Sequence, residues 1–227
     1  MKSKLIDITH PIHEGMTTFP VHWHPFVEIT QLGRFGIEDR ESRKLTFGTH
    51  TGTHFDAPRH FVPNGMTIDQ VPVETMVGPA KIVDFSDVSP LTEIKIEDFK
   101  EQLGEDPPER LVMCFDWSRH WGSITFYDQH PFISEETAVW FKDKGVKLLG
   151  MDTPQADNPK HGKGNDPDSP IHKILLEANI VQVECLTKLR LIDSRDFELI
   201  ALPLPIRDGD GSPARCIARV PISGNLA

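Results

Sequence analysis

The sequence predicts an α/β fold: a single domain, residues 1–227, with a mixed, barrel-like β-sheet core flanked by a few helices. Three observations support this. The chain has 227 residues, of which 38% are hydrophobic and 26% charged, which is typical of one globular domain. Continuous aliphatic runs recur along it, as in strands buried on both faces. Helical patterns are fewer. The one at 134–144 leads directly into the aliphatic run at 146–151, which is a local α/β pattern.

The predicted strands are short aliphatic runs separated by prolines and turn residues. They lie at 4–8, 80–85, 111–115, 146–151, 180–185, 198–204 and 216–220. Their continuous rather than alternating hydrophobicity indicates that both faces of the sheet are covered.

Three helices are predicted. Apolar residues at 96, 99 and 103 form a helical stripe within 94–103. A second helix begins after the N-cap Ser134 and ends at Gly145. A third begins at Ser169-Pro170, with a capping hydroxyl and then proline at the first helical position, and stops at Asn179. The polar segment 158–170 before it is expected to be an inserted loop or a lid.

Charge and cysteine content exclude several classes of protein. The net charge is −10 and lysine and arginine form no run, which argues against nucleic-acid binding. Cys114, Cys185 and Cys216 each lie in an apolar run, which predicts buried, reduced thiols. No apolar stretch suits a signal peptide or a membrane span. A cytoplasmic protein is therefore expected.

The segment FGTHTGTHFDAPRHF at 47–61 carries the strongest chemical signal. Its glycines and proline exclude a metal-binding helix, so we expect an extended strand that enters a tight turn. Residues two apart in a strand share a face, which would bring His50, His54 and Asp56 together. Two imidazoles and a carboxylate suit Zn²⁺, Mn²⁺ or Fe²⁺ and leave room for a water. A metal lowers the pKa of such a water from about 15.7 towards 7 and makes it a hydroxide nucleophile.

HTGTHFDAPRHF resembles the signature of the metal-dependent cyclase/hydrolase family, which includes bacterial kynurenine formamidase and isatin hydrolase. Further likeness lies in LIDITHPIHEGMTTFP, in GMDTPQAD, and in SPIHKILLEANIVQVECL and FELIALPLPIRDGDGSPARCIA near the C-terminus. The resemblance thus spans nearly the whole chain. It implies a swivelling β/β/α, cyclase-like fold.

The resemblance also implies site roles. His50, His54 and Asp56 match the ligands of a first metal, and His60 matches the general base and acid. His172 and Glu184 match the ligands of a second metal, which Asp56 would bridge. From the residues alone, a surface-helix role for His172 and a salt-bridged strand end for Glu184 stay open. A carboxylate in such an apolar strand is unfavourable unless it is paired or metal-bound.

The expected activity is hydrolysis of a C–N amide bond, for example an aryl formamide of the N-formylkynurenine type in tryptophan catabolism. His60 would give its proton to the leaving nitrogen. Ring-opening of isatin or a lactone, and a non-catalytic metal-binding scaffold, are the alternatives. Trp23, Phe35 and Phe47 are candidates for the substrate pocket. One or two Zn or Mn ions and a homo-oligomer, dimer or tetramer, are implied by the family. Gln155 stands where the family often has a small polar residue, so substrate contacts should differ there.

Overall fold

The computed structural model describes residues 2–161 and 166–222. The middle of the predicted 158–170 loop lies outside these residues. The strands are β1 (Ser3–Asp7), β2 (Glu28–Gly33), β3 (Ser42–Thr46), β4 (His54–Asp56), β5 (Val77–Asp84), β6 (Glu93–Ile94), β7 (Arg110–Cys114), β8 (Phe132–Ile133), β9 (Leu148–Met151), β10 (Val181–Glu184), β11 (Asp196–Pro203) and β12 (Gly211–Pro221). The helices are α1 (Val73–Met76), α2 (Ile96–Leu103), α3 (Thr125–Asp128), α4 (Glu135–Asp143) and α5 (Pro170–Glu177).

The main sheet closes on itself. Its order is β12-β11-β5-β7-β9-β10-β4, and β4 pairs again with β12, while β1 extends β12 outside this ring. The pairs β5–β7, β7–β9 and β9–β10 are parallel, and the remaining pairs are antiparallel. The mixed, barrel-like sheet predicted from the sequence is therefore confirmed.

Both faces of the sheet are buried, as the continuous aliphatic runs predict. In β7, Val112 and Cys114 belong to one apolar cluster, inside the closed sheet. Leu111 and Met113 belong to a second cluster, which they share with residues of α2, α4 and α5. Each of the seven predicted strands overlaps an observed one. The short strands β6 and β8 and the exposed pair β2–β3 were not predicted, because they lack aliphatic runs.

The helix ends partly follow the sequence signals. Ser134 caps α4, since its hydroxyl accepts a hydrogen bond from the Thr137 N–H at 3.2 Å. Gly145, just after α4, has φ +75° and ends that helix.

All three cysteines are buried and form no disulfide, as predicted. Within the part of the chain that the structure describes, no helix has both the length and the apolar character to cross a bilayer.

The predicted capping of α5 by Ser169 is wrong. Ser169 has φ +47°, and its hydroxyl donates to Asp168 rather than accepting from the helix. The cap comes instead from Asp157, whose carboxylate accepts from the N–H groups of Ile171 at 2.7 Å and His172 at 3.0 Å. A side chain thirteen residues before the helix can do this because Asp157 lies beside the first turn of α5 in the folded chain.

The predicted extended strand at 47–61 is also shorter than expected. Only His54–Asp56 is a strand, and Pro58–His60 forms a 3₁₀ turn. Residues 47–53 bend instead of extending, and Gly52 adopts φ +64°. His50 therefore reaches the site through a bend and not through strand parity.

Candidate metal centre

The centre is built on the pairing of β4 with β10. His54 lies opposite Glu184 in the antiparallel register, so both side chains share one face with Asp56. His54 Nε2 lies 3.3 Å from Asp56 Oδ1 and 3.5 Å from Glu184 Oε2. The Gly52 carbonyl lies 2.8 Å from His54 Nδ1 and orients the ring so that Nε2 faces the carboxylates.

His50 joins this group from the bend before β4. Its Nδ1 lies 2.7 Å from Asp56 Oδ1, and its Nε2 lies 2.7 Å from Asp210 Oδ2. Gly211 permits this approach, because a Cβ atom there would lie 2.8 Å from His50 Cε1 and closer still to the Phe55 carbonyl. Strand β12 thus passes directly behind the histidine.

Helix α5 supplies the other side of the cluster. His172 Nε2 lies 3.2 Å from Asp56 Oδ2 and 3.2 Å from Glu184 Oε1. Its Nδ1 lies 2.6 Å from Asp157 Oδ2, the carboxylate that also caps the helix. Asp157 therefore fixes the ring orientation and leaves Nε2 towards the two other carboxylates.

His60 lies at the outer edge of the cluster. Its Nδ1 is 3.4 Å from Asp210 Oδ2, and its ring centre is 3.9 Å from that of His50. The side chain is 24% exposed, whereas that of Asp56 is 1% exposed. His60 therefore stands between the buried carboxylates and solvent.

The pKa values show how much negative charge is concentrated here. Burial alone lowers the pKa of His50, but the Asp56 and Asp210 carboxylates outweigh it and raise that pKa to about 10. Burial favours a neutral Asp56, but His50, His60 and His172 hold its pKa well below the usual value. Burial and the Asp56 charge together raise the pKa of Glu184. The raised pKa values of His50 and His172 favour their protonated forms, which oppose this negative charge.

The donors present fit divalent cations. Two groups of three have ligand atoms within 4.8 Å of one another: His50, Asp56 and His60, and His54, Asp56 and Glu184. Both contain Asp56, which places its carboxylate between the two groups. Glu184 Oε1 is buried and, although it lies close to His172, has no hydrogen bond within the described residues. A buried carboxylate oxygen that makes no hydrogen bond of its own is what a cation would satisfy, and nitrogen and carboxylate donors suit Zn²⁺ or Mn²⁺.

The cluster forms the floor of a cavity of about 320 Å³. Aromatic residues make up much of the wall: Phe19, Trp23, Phe61, Trp121 and Tyr127. Of the three predicted substrate contacts, Trp23 lines the cavity. Phe35 is 76% exposed, and neither it nor Phe47 belongs to the lining.

Sequence reasoning gave no role to Asp157 or Asp210. Both lie in segments that carry the family resemblance, GMDTPQAD and FELIALPLPIRDGDG. The resemblance therefore drew attention to these segments but assigned no role to either residue. Asp210 lies 160 positions from His50, and only the β4–β12 pairing shows that they meet.

The chain is similar to known proteins both in sequence and in structure. Residues 6–158 match the family model described as "Putative cyclase". The kynurenine formamidase of Bacillus mycoides is 32% identical over 217 residues, which cover 96% of this chain and 98% of that protein. Isatin hydrolase A from Labrenzia aggregata, in a structure with benzyl benzoate, superposes with a TM-score of 0.84 at 26% identity and covers 96% of this chain and 94% of its own. A structure described as "predicted metal-dependent hydrolase from Bacillus stearothermophilus" has a TM-score of 0.75 at 26% identity, with 96% and 99% covered.

Proposed function

The chain belongs to the cyclase family, and from this premise we propose that it is a metal-dependent hydrolase of C–N amide bonds that acts on an aryl formamide of the N-formylkynurenine type. One observation carries the proposal: a buried cluster of histidines and carboxylates forms the floor of an aromatic cavity. The walls suit an aryl ring, and the floor suits the polar bond that is cleaved.

His50, His54 and Asp56 would hold the first cation, and His172 and Glu184 would hold a second that shares Asp56. A bound Zn²⁺ or Mn²⁺ would supply Lewis-acid chemistry, since it polarises a carbonyl and acidifies water. The protein would contribute the geometry, because the second nitrogen of His54 and of His172 is held by the Gly52 carbonyl and Asp157.

His60 would carry the proton. Asp210 contacts Nδ1, which leaves Nε2 free to face the cavity that His60 lines. The oxygen of a water adds to the formyl carbon while His60 accepts a proton from it. The C–N bond then breaks, and His60 returns that proton to the leaving nitrogen. The products are the aryl amine and formic acid, which ionises to formate by releasing a proton to water, so atoms and charge balance.

The test combines metal analysis with a small substrate panel. We expect purified protein to contain zinc or manganese, and to hydrolyse N-formylkynurenine at a rate that a chelator abolishes and the added metal restores. Formate release without metal dependence would contradict the proposed chemistry. The absence of turnover on every aryl formamide tested would contradict the substrate class.

Ring-opening of isatin is a second candidate, favoured by the structural similarity to isatin hydrolase A. It too breaks a C–N amide bond beside an aryl ring. Comparing kcat/KM for N-formylkynurenine and isatin on the same preparation would separate the two. A lactone in the panel would test for C–O cleavage.

A non-catalytic metal-binding scaffold is the alternative from another class. A purely structural site usually closes its coordination shell with protein ligands. Here the cluster opens on a cavity large enough for a small molecule, which supports an enzyme.

We also propose a cytoplasmic homo-oligomer, a dimer or tetramer. The three buried cysteines without disulfides suit a reducing compartment. The β2–β3 hairpin supports association, because Leu32, Phe35 and Ile37 on it are each more than half exposed. A two-stranded hairpin alone in water is marginally stable, so contact with a second copy would stabilise it.

A further inference from the structure

Asp210 contacts two histidines of the cluster with a single oxygen atom. Its Oδ2 lies 2.7 Å from His50 Nε2 and 3.4 Å from His60 Nδ1. A carboxylate oxygen has two lone pairs and can accept from both rings at once. Asp210 belongs to neither group of candidate cation ligands found among the described residues, so it acts on the centre through the two rings.

The backbone fixes the position of this carboxylate. Asp210 immediately precedes β12, and its carbonyl accepts a hydrogen bond from the Ala57 N–H at 3.0 Å. The Gly209 carbonyl accepts from the Ile68 N–H at 2.9 Å. Ala57 itself stands between β4 and the 3₁₀ turn that carries His60. Two backbone hydrogen bonds therefore tie the segment of Asp210 to the segment around His60.

The contact with Asp210 bears on which nitrogen of His60 carries the proton. Within the described part of the chain, Asp210 is the only carboxylate that pairs with this ring. Its side chain is 38% exposed, so it is ionised at neutral pH and can only accept. A neutral imidazole has one N–H and one lone pair. The contact thus favours the form with the proton on Nδ1 and the lone pair on Nε2, the atom that would accept a proton from water.

The same oxygen orients His50. His50 Nδ1 lies 2.7 Å from Asp56 Oδ1, so this is the nitrogen that faces the candidate cation ligands. A ligand nitrogen must be unprotonated, which leaves the proton on Nε2, where Asp210 accepts it. Ligand histidines commonly donate their second N–H to a carboxylate in this way. Asp210 would therefore serve His50 as Asp157 serves its own histidine.

We propose that Asp210 is a positioning residue that couples the cation ligand His50 to the proton carrier His60 through one shared oxygen. It holds the first ring for the cation, and it holds the second in the form whose Nε2 can accept a proton. This inference rests on the proposed hydrolase activity for the task of His60. It adds that cation affinity and proton transfer depend on the same carboxylate.

Replacement of Asp210 by alanine and by asparagine provides the test. Alanine removes both contacts, whereas asparagine keeps an oxygen that can accept them. With zinc-loaded protein and N-formylkynurenine, we expect Asp210→Ala to lower kcat about 10- to 100-fold with little change in KM. Zinc affinity, from calorimetric titration of the metal-free protein, should fall by a similar factor. Asp210→Asn should lose less in both measurements. Asp208→Asn, the same change at an exposed side chain two residues away, is the matched control.

Nuclear magnetic resonance separates this inference from the proposed function, because it needs no turnover. In isotope-labelled, zinc-loaded protein at a pH where His60 is neutral, the shifts of the imidazole nitrogens report which of them carries the proton. The His60 signals are assigned by their loss in His60→Ala, and the backbone amide spectrum shows that each variant is folded. We expect the proton on Nδ1 in the wild type and in Asp210→Asn, and its shift towards Nε2 in Asp210→Ala.

The combined results decide between the possibilities. If the His60 proton and the zinc affinity depend on Asp210 but no aryl formamide is hydrolysed, the activity is wrong and the positioning role is right. If Asp210→Ala changes the zinc affinity or the proton position but not both, the coupling is refuted. A wild-type His60 with its proton on Nε2, or an alanine variant unchanged in both readouts, would refute the role of Asp210.

Discussion

His60 and His50 contact the same carboxylate oxygen of Asp210, yet their surroundings differ. His50 is held between two carboxylates, Asp56 and Asp210, at 2.7 Å each. His60 makes one longer contact, at 3.4 Å, and is partly open to the cavity. An imidazole that exchanges protons with a substrate needs one free nitrogen and access to it, whereas a cation ligand needs a fixed ring. This difference supports the assignment of proton transfer to His60.

Replacement of His60 by alanine tests that assignment. We expect the His60→Ala protein to keep the metal content of the wild type but to lose activity on N-formylkynurenine by about 10²–10⁴-fold, as for removal of a general acid or base. Elemental analysis and steady-state kinetics on the same sample provide the measurement. Loss of one metal equivalent would instead make His60 a ligand, as its position beside His50 and Asp56 allows. Full activity would refute the role.

Gln182 is buried next to the centre with both ends of its carboxamide unpaired among the described residues. It lies opposite Asp56 in the β4–β10 register. Gln182→Leu keeps the volume and removes two unsatisfied polar atoms, so we expect the free energy of unfolding of the metal-free protein to rise by about 1–2 kcal/mol. Urea denaturation measures this, with Gln129→Leu at the surface as control. A decrease would show that the amide has a partner, such as a buried water.

At the level of the element, Asp157 gives the N-terminus of α5 two tasks. One carboxylate caps the helix and orients His172 within it. We expect Asp157→Asn to lower the free energy of unfolding by about 1–2 kcal/mol, because the amide cannot accept all three hydrogen bonds. Cation affinity should fall about 10- to 100-fold, as for other partners of ligand histidines.

Ser169→Ala is the matched control for Asp157→Asn. Ser169 stands at the N-cap position but its side chain makes no hydrogen bond to the helix, so loss of the hydroxyl should change stability by less than about 0.5 kcal/mol. Thermal unfolding of both variants and calorimetric zinc titration give the comparison. A larger effect from Ser169→Ala would mean that the hydroxyl, and not Asp157, stabilises the helix start.

The sequence predicted the main strands because burial on both faces leaves continuous aliphatic runs, as in β7. It predicted that His54 and Asp56 share a face, because parity is a local property of a strand. The sequence did not predict the bend at His50 or the capping of α5 by Asp157, because both depend on contacts with residues elsewhere in the chain. Asp157 and Ser169 are equally plausible caps by residue type, and only the tertiary contact of Asp157 with the first turn of α5 decides between them.

At the level of the whole molecule, ring closure assembles the centre. Strand β4 has three residues, yet it joins β10 on one side and β12 on the other. This pairing brings Glu184 and Asp210 to the motif around His54, although each lies more than a hundred residues away. No local pattern encodes such long-range pairing, so the family resemblance was needed to connect Glu184 and His172 with the motif, and Asp210 was found only in the structure.

The β2–β3 hairpin gives the whole-molecule prediction, since Phe35 and Ile37 are 76% and 69% exposed and Leu45 is 54% exposed. Exposed apolar side chains clustered on one hairpin are typical of an interface. We expect wild-type protein at micromolar concentration to sediment as a dimer or tetramer, and Phe35→Glu with Ile37→Glu to shift it towards the monomer, because a buried charge opposes association. Leu191→Glu, at a 56% exposed residue on another surface, should keep the wild-type size. A wild-type monomer, or a hairpin variant of unchanged size, would rule out this interface.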